Sequence, residues 1–207
     1  TVGINEDVTG TSLAVDATFD VPDEGFFSGL FYGLGSDGTV GANRNSIKII
    51  GELTDNYAQA YFVYDSKKAG AVTVSHLRFG KELIRRPYLI SKADFVACHN
   101  SAFLEQFDML TPAREGSPFL LTSSHGPDEV WDTLPKEVQK QIIDKRLKFY
   151  VIDALSIAQD LGLGGRINVI MQTAFFKISN IIPIDTAVKA IKDAIKTSYG
   201  KKGQKIV

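Results

Sequence analysis

Between a short aromatic-rich apolar run and a segment of helical spacing, the chain reads Gly33-Leu34-Gly35-Ser36-Asp37-Gly38. This G-x-G-x-x-G spacing suits a diphosphate. Glycines let the backbone turn tightly and approach phosphate oxygens closely, and the N-terminus of the following helix offers free N–H groups and a positive dipole end. With 18 glycines in 207 residues the pattern arises easily by chance. Its weight comes from its place between a strand and a helix.

The residues at the end of the second strand bear on which phosphate ligand to expect. That strand ends Tyr64-Asp65-Ser66-Lys67-Lys68. Asp65 suits the ribose hydroxyls of a nicotinamide cofactor, whereas Lys67 and Lys68 favour an extra ribose phosphate, which NADP and coenzyme A both carry. The bland alternative is that both lysines are solvated turn residues. A second glycine-dense stretch, Gly162-Leu163-Gly164-Gly165-Arg166-Ile167-Asn168, opens a helix. It either offers backbone and the Asn168 amide to a ligand or simply separates two helices. Other polar residues read as structural. His76 fits a buried, hydrogen-bonded histidine and Cys98 a small core residue. Asp153 and Arg166 fit an ion pair, and the lysines at 189, 192, 196, 201, 202 and 205 fit the wet face of the last helix and its tail.

These residues need elements to position them. Residues 1–25 are polar and turn-rich, an extended lead-in arm, and residues 26–207 read as a single α/β domain. Phe26–Gly35, Ala58–Asp65, Ala71–Phe79 and Lys148–Ala154 read as strands, and Asp94–Asn100 and Pro118–Ser124 are short apolar runs bounded by polar residues. Helical spacing runs from Thr39 to about Glu52 and across Leu134–Leu147, where Pro135 sits harmlessly near the start. Three further helices follow, the last with Asp185 placed to cap it and Gly200 to stop it. The alternation predicts a three-layer α/β/α fold with a mostly parallel central sheet.

Composition narrows the function classes. Hydrophobic residues make up 44%, charged residues 23%, and the net charge is −1, so no global charge points to nucleic acid or an anionic membrane. One cysteine, Cys98, neither closes an internal disulfide nor holds an iron–sulfur cluster. The three histidines lack zinc-ligand spacing, so no metal site is expected. No apolar run approaches the roughly 20 residues that span a bilayer, and no signal-peptide pattern opens the chain. The expectation is a cytoplasmic protein and, since it starts at Thr1, a piece of a longer one.

The stretches FYGLGSDGTVGANRNSIKIIGE, YFVYDSKKAGAVTVSHLRFG, ADFVACHN and LGLGGRINVIMQTAFFK together resemble the third, gamma-type domain of pyruvate:ferredoxin (flavodoxin) oxidoreductases. TVGINEDVTGTSL resembles the segment that feeds it, so the likeness covers nearly the whole chain. Members of that family oxidatively decarboxylate pyruvate on thiamine diphosphate, pass electrons through [4Fe-4S] clusters to ferredoxin or flavodoxin, and deliver the acetyl unit to coenzyme A. The resemblance implies that thiamine diphosphate and the clusters belong to other domains, that the parent is a homodimer, and that this domain binds coenzyme A without catalytic residues of its own. The matching contacts fall on Gly35, Ser36, Asp37, Gly38, Thr39, Lys67 and Asn168, with another beyond Val207. Arg44 stands where relatives often carry lysine. The alternatives are a self-contained NAD(P)-dependent oxidoreductase, for which no segment supplies a substrate domain, and a structural interdomain module.

Overall fold

The computed structural model describes residues 8–14, 16, 19, 21, 25–65 and 71–199. Strand β1 (Phe26–Leu34) is an apolar run, so both of its faces can be buried and it takes an interior place in the sheet. Strand β3 (Val72–Gly80) lies antiparallel along its full length, from Phe26 opposite Gly80 to Leu34 opposite Val72. On its other side come β4 (Phe95–Cys98), β5 (Pro118–Thr122) and β6 (Lys148–Ile152), each parallel to its neighbour. The outer edge beyond β3 is β2 (Tyr57–Tyr64), giving the order β2-β3-β1-β4-β5-β6.

The mostly parallel sheet matches the expectation from alternation, with β3 as the exception, antiparallel to both β1 and β2. Strands β2 and β3 are separated by only the seven residues 65–71, and a connection that short permits an antiparallel return but not a crossover.

Side chains alternate between two cores. Leu30 and Tyr32 of β1 and Val96 and Cys98 of β4 face a core closed by α2 (Val130–Thr133), α3 (Lys136–Asp144) and a 3₁₀ turn at Ser101–Glu105. Phe31 of β1 and Phe95 and Ala97 of β4 face the other core. It is closed by α1 (Thr39–Leu53), α4 (Ala154–Asp160), α5 (Asn168–Ser179) and α6 (Ile184–Tyr199).

Some boundaries differ from those the sequence predicts. Pro135 is the N-cap residue of α3, which is shorter than the predicted helix at both ends, and the separate short α2 precedes it. Helix α6 begins at Ile184, so Asp185 lies inside its first turn, where its charge meets the positive end of the dipole without capping. Gly200, Lys201, Lys202 and Lys205 lie outside the described residues, as does much of the lead-in arm. The described part of the arm forms no helix or strand.

Phe175 of α5 is the hub of the second core. Its ring meets those of Phe31, Phe95 and Phe176 at 5.1 Å each. Residue 168 lies two helical turns, about 10 Å, before it. The aromatic hub therefore fixes where α5 begins. Gln172 adds a polar tie, its Nε2 donating to Ala42 O at 3.1 Å and to Ser46 Oγ at 3.0 Å, both on α1.

The outer face of β3 is covered by the segment after it. Buried Arg78 donates to Tyr88 O at 2.8 Å, and Ile90 N–H donates to His76 Nδ1 at 3.2 Å. His76 is thus the buried, hydrogen-bonded residue that its strand position predicts. Burial, with the Arg78 charge beside it, pushes its imidazole down to about 4.

Helix α1 returns very close to β1. A Cβ on Gly33 would lie 2.3 Å from Thr39 Oγ1, whereas one on Gly35 would meet nothing nearer than 3.8 Å. Gly33→Ala should therefore cost about 1–3 kcal/mol through overpacking, and Gly35→Ala under about 1 kcal/mol. Urea unfolding of the 207-residue chain measures both, and equal costs would contradict the close approach.

His76 also sets a pH dependence. It is neutral when folded but titrates near 6.5 when unfolded, so the unfolded state binds a proton that the folded state refuses. Its contribution to stability is full above about 6.5 and falls as pH drops toward about 4. The thermal midpoint of wild type should fall more steeply through that window than that of His76→Gln. Parallel curves would contradict the assignment.

Candidate functional site

The predicted glycine loop joins the end of β1 to the start of α1. Leu34 ends the strand, and Gly38 is the helix N-cap at φ +86°, a left-handed conformation that favours glycine. As the N-cap residue, Gly38 offers no capping side chain. The N–H groups of Ser36, Gly38, Val40 and Gly41 form no hydrogen bond among the described residues, as expected where the first N–H groups of a helix have no intrahelical partner.

The loop residues divide into two kinds. Gly35 and Ser36 are exposed at its tip. Asp37 and Thr39 point inward. The carboxylate of Asp37 accepts from Leu34 N–H at 2.9 Å and from Thr39 N–H at 2.8 Å, bracing the turn from within. Thr39 is fully buried, and its Oγ1 shares a 2.7 Å hydrogen bond with His99 Nδ1. His99 follows β4, and its own N–H donates to Tyr32 O of β1 at 2.8 Å. Burial pushes its imidazole down to about 4, against the smaller opposing pull of Asp37. The ring is therefore neutral near pH 7, and either tautomer can pair with a hydroxyl.

Asn168 arrives from the other side of the molecule. A Cβ on Gly38 would come within 2.8 Å of Asn168 Cγ and Nδ2, so the first residue of α5 packs on the N-cap of α1. The N–H groups of Asn168, Val169 and Ile170 also form no hydrogen bond among the described residues. Two helix N-termini thus converge, and both offer free donors and the positive ends of their dipoles to one place. Beside it a cleft of about 240 Å³ runs between α1, α5 and α6, lined by Gly38, Gly41, Asn45, Asn168 and Ile195 among others.

The structure brings Gly35, Ser36, Asp37, Gly38, Thr39 and Asn168 together. Lys67 and Lys68 lie outside the described residues. Asp65 is described, its N–H donating to Val72 O at 3.2 Å. The expected Asp153–Arg166 ion pair does not form. Asp153 is the N-cap of α4 and accepts from Ser156 N–H at 3.0 Å, which holds its carboxyl below the usual range. Cys98 is buried, as expected of a core residue, and burial pushes its thiol up to about 12. Arg44 lies over the Phe62 ring at 5.3 Å.

A second cavity borders the same two glycine-rich stretches, at Leu34 and Asp37 and at Gly165 and Ile167. At the carboxyl ends of β1, β4, β5 and β6 lies a crevice of about 330 Å³, lined by His99, Asn100, Thr122, Ser123, Ser124 and Asp153 among others. Open α/β sheets bind ligands at such strand ends. The available signal was that each short apolar run terminates in a polar cluster. Among the described residues no group of acidic, histidine or cysteine side chains is arranged to hold a metal ion. No helix among them is long and apolar enough to cross a membrane.

Comparison with known proteins agrees with the resemblance. The family model for pyruvate ferredoxin/flavodoxin oxidoreductase matches residues 28–207. The pyruvate:ferredoxin oxidoreductase of Moorella thermoacetica is 58% identical over the whole chain, which covers 18% of that protein. The pyruvate-flavodoxin oxidoreductase of Trichormus variabilis is 56% identical, with 17% of it covered. The chain therefore spans under a fifth of the length of these relatives. Among solved structures, pyruvate oxidoreductase subunit PORC of Thermotoga maritima shares the fold at a TM-score of 0.68 and 20% identity, covering 88% of this chain and 89% of that one. A 2-oxoglutarate:ferredoxin oxidoreductase of Magnetococcus marinus, solved with 2-oxoglutarate, coenzyme A and succinyl-CoA bound, shares it at 0.62 and 14% identity. There the match covers 89% of this chain and 29% of the other. With the family model matching all but its first residues, this chain belongs to the pyruvate ferredoxin/flavodoxin oxidoreductase family.

Proposed function

We propose that this chain is the coenzyme A-binding domain of a pyruvate:ferredoxin or pyruvate:flavodoxin oxidoreductase. The observation that carries the reading is the convergence of the α1 and α5 N-termini on one set of unpartnered N–H groups. Such a site favours a diphosphate. Coenzyme A bound in the Magnetococcus marinus relative supports choosing that diphosphate over a nicotinamide cofactor.

In this reading Ser36 and Gly38 meet the phosphates through backbone N–H, Gly35 lets the chain approach them with no side chain in the way, and Asn168 contributes its side-chain amide. Asp37 and Thr39 belong to the site as its frame, since their polar groups are engaged inside the loop. Lys67 adds charge for the ribose phosphate. The domain holds the phosphate end so that the thiol end reaches the reacting centre in a neighbouring domain, which is catalysis by positioning. Thiamine diphosphate and the [4Fe-4S] clusters belong to those other domains. The complete enzyme is then a cytoplasmic homodimer that hands electrons to ferredoxin or flavodoxin. The 207-residue chain alone should not oxidise pyruvate, and dye reduction by it with pyruvate, coenzyme A and thiamine diphosphate would contradict that.

In the full-length enzyme Lys67→Ala should raise KM for coenzyme A by the equivalent of about 1–3 kcal/mol, as for a charge-assisted hydrogen bond, and leave KM for pyruvate little changed. The effect should shrink at high salt. Lys68→Ala is the control, because adjacent side chains near a strand end point different ways. With dephospho-coenzyme A, wild type and Lys67→Ala should perform about equally. Unchanged coenzyme A kinetics in Lys67→Ala would make that lysine a solvated turn residue.

A further inference from the structure

The donors that would meet the ligand sit on a loop whose own anchors are few. Gly38 supplies no capping side chain, and α1 has no acidic residue in its first turn. Gly35 N–H reaches Ala71 O at 3.3 Å, and Asp37 N–H reaches Leu34 O at 3.3 Å, both long contacts. The short buried contacts form one chain. His99 N–H is tied to β1 at Tyr32 O, His99 Nδ1 to Thr39 Oγ1, and Thr39 N–H to Asp37, whose second oxygen holds Leu34 N–H. Thr39 has 0% exposure and His99 6%, so water does not substitute for either partner.

His99 is also held in orientation. Its ring meets Phe31 edge-on, with centroids 6.5 Å apart and planes at 86°. The Thr39 side chain fills the space over Gly33, packed directly against β1. The helix start is thereby fixed against the sheet by a hydrogen bond that comes from a different strand.

We propose that His99 is a positioning residue for the phosphate loop: through Thr39 it fixes the first turn of α1 at the spacing the ligand's oxygens need. The inference rests on the coenzyme A reading above. His99 does not touch the phosphates, so its effect is confined to how well the loop amides are pre-arranged. Losing that arrangement weakens binding without altering the chemistry of pyruvate.

The test uses the full-length enzyme. His99→Leu and Thr39→Val each remove one side of the hydrogen bond while keeping an apolar side chain in place. Each should raise KM for coenzyme A about fivefold to tenfold, with KM for pyruvate within about twofold of wild type. His99→Asn carries an amide where Nδ1 stood and Thr39→Ser keeps the hydroxyl, so both should return to within about threefold of wild type. Because the two residues act through one bond, the double variant Thr39→Val/His99→Leu should be no worse than the poorer single variant.

Additive losses in the double variant, or no rescue by His99→Asn, would overturn the proposal. If His99→Leu fails to fold, Thr39→Val and the two conservative variants decide it alone. Lys67→Ala and Asn168→Ala separate this inference from its foundation. If they raise KM for coenzyme A and Thr39→Val does not, the positioning role alone is wrong. If none of these variants moves it, the coenzyme A reading fails and this inference with it.

Discussion

Where α1 leaves β1, a threonine side chain occupies the space that any side chain at residue 33 would need. Much of the site's geometry depends on that contact. Thr39 can lie there only because Gly33 has no Cβ, and its buried hydroxyl is satisfied only because His99 emerges from β4 at the right height. A buried hydroxyl without a partner costs more than the hydrogen bond returns, so the pairing of β4 with β1 and the seating of α1 are coupled. The parallel register that sets Tyr32 opposite Cys98 places His99 one residue beyond.

The loop uses its polar groups in two directions. Asp37 and Thr39 turn theirs inward on the loop itself, while Ser36, Gly38, Val40 and Gly41 leave backbone donors outward. A carboxylate inside a phosphate loop looks unfavourable. Its two oxygens, however, accept from backbone amides, so it stiffens the turn. The second set of outward donors, on α5, is positioned from farther away. Phe175 anchors that helix in an aromatic cluster, and Gln172 locks it to α1, so that Asn168 rests on Gly38. The core thus determines the distance between the two helix starts, and any change to that cluster reaches the site.

Much of this was legible in the residues. Phe26–Leu34 has the apolar continuity of a buried strand, the glycine spacing marks the turn, and the helical period from Thr39 marks α1. The antiparallel setting of β3 between β1 and β2 was less so, since periodicity reports strands and not their directions. Nor could the sequence show that Asp37 and Thr39 turn inward. Their spacing in the motif suits a ligand contact equally well, and only the approach of His99 from 60 positions away decides it. The crevice at the strand ends was missed for a similar reason. Beside Asp37 and Gly165 of the two glycine-rich stretches, its walls are short polar clusters after separate strands, each ordinary alone and brought together by the parallel order of the sheet. Asp153, read as half of an ion pair, is instead a helix cap, because its place just before α4 puts Ser156 N–H within reach.

The central claim is that coenzyme A phosphates rest on the converging starts of α1 and α5. Amide hydrogen exchange of the protein with and without saturating coenzyme A tests it most directly. The account predicts slowed exchange at Ser36, Gly38, Val40 and Gly41 and at Asn168, Val169 and Ile170, whose N–H groups otherwise lack partners among the described residues. Unchanged exchange at those amides, or slowing confined to the polar crevice around Asn100, Ser123 and Ser124, would contradict it.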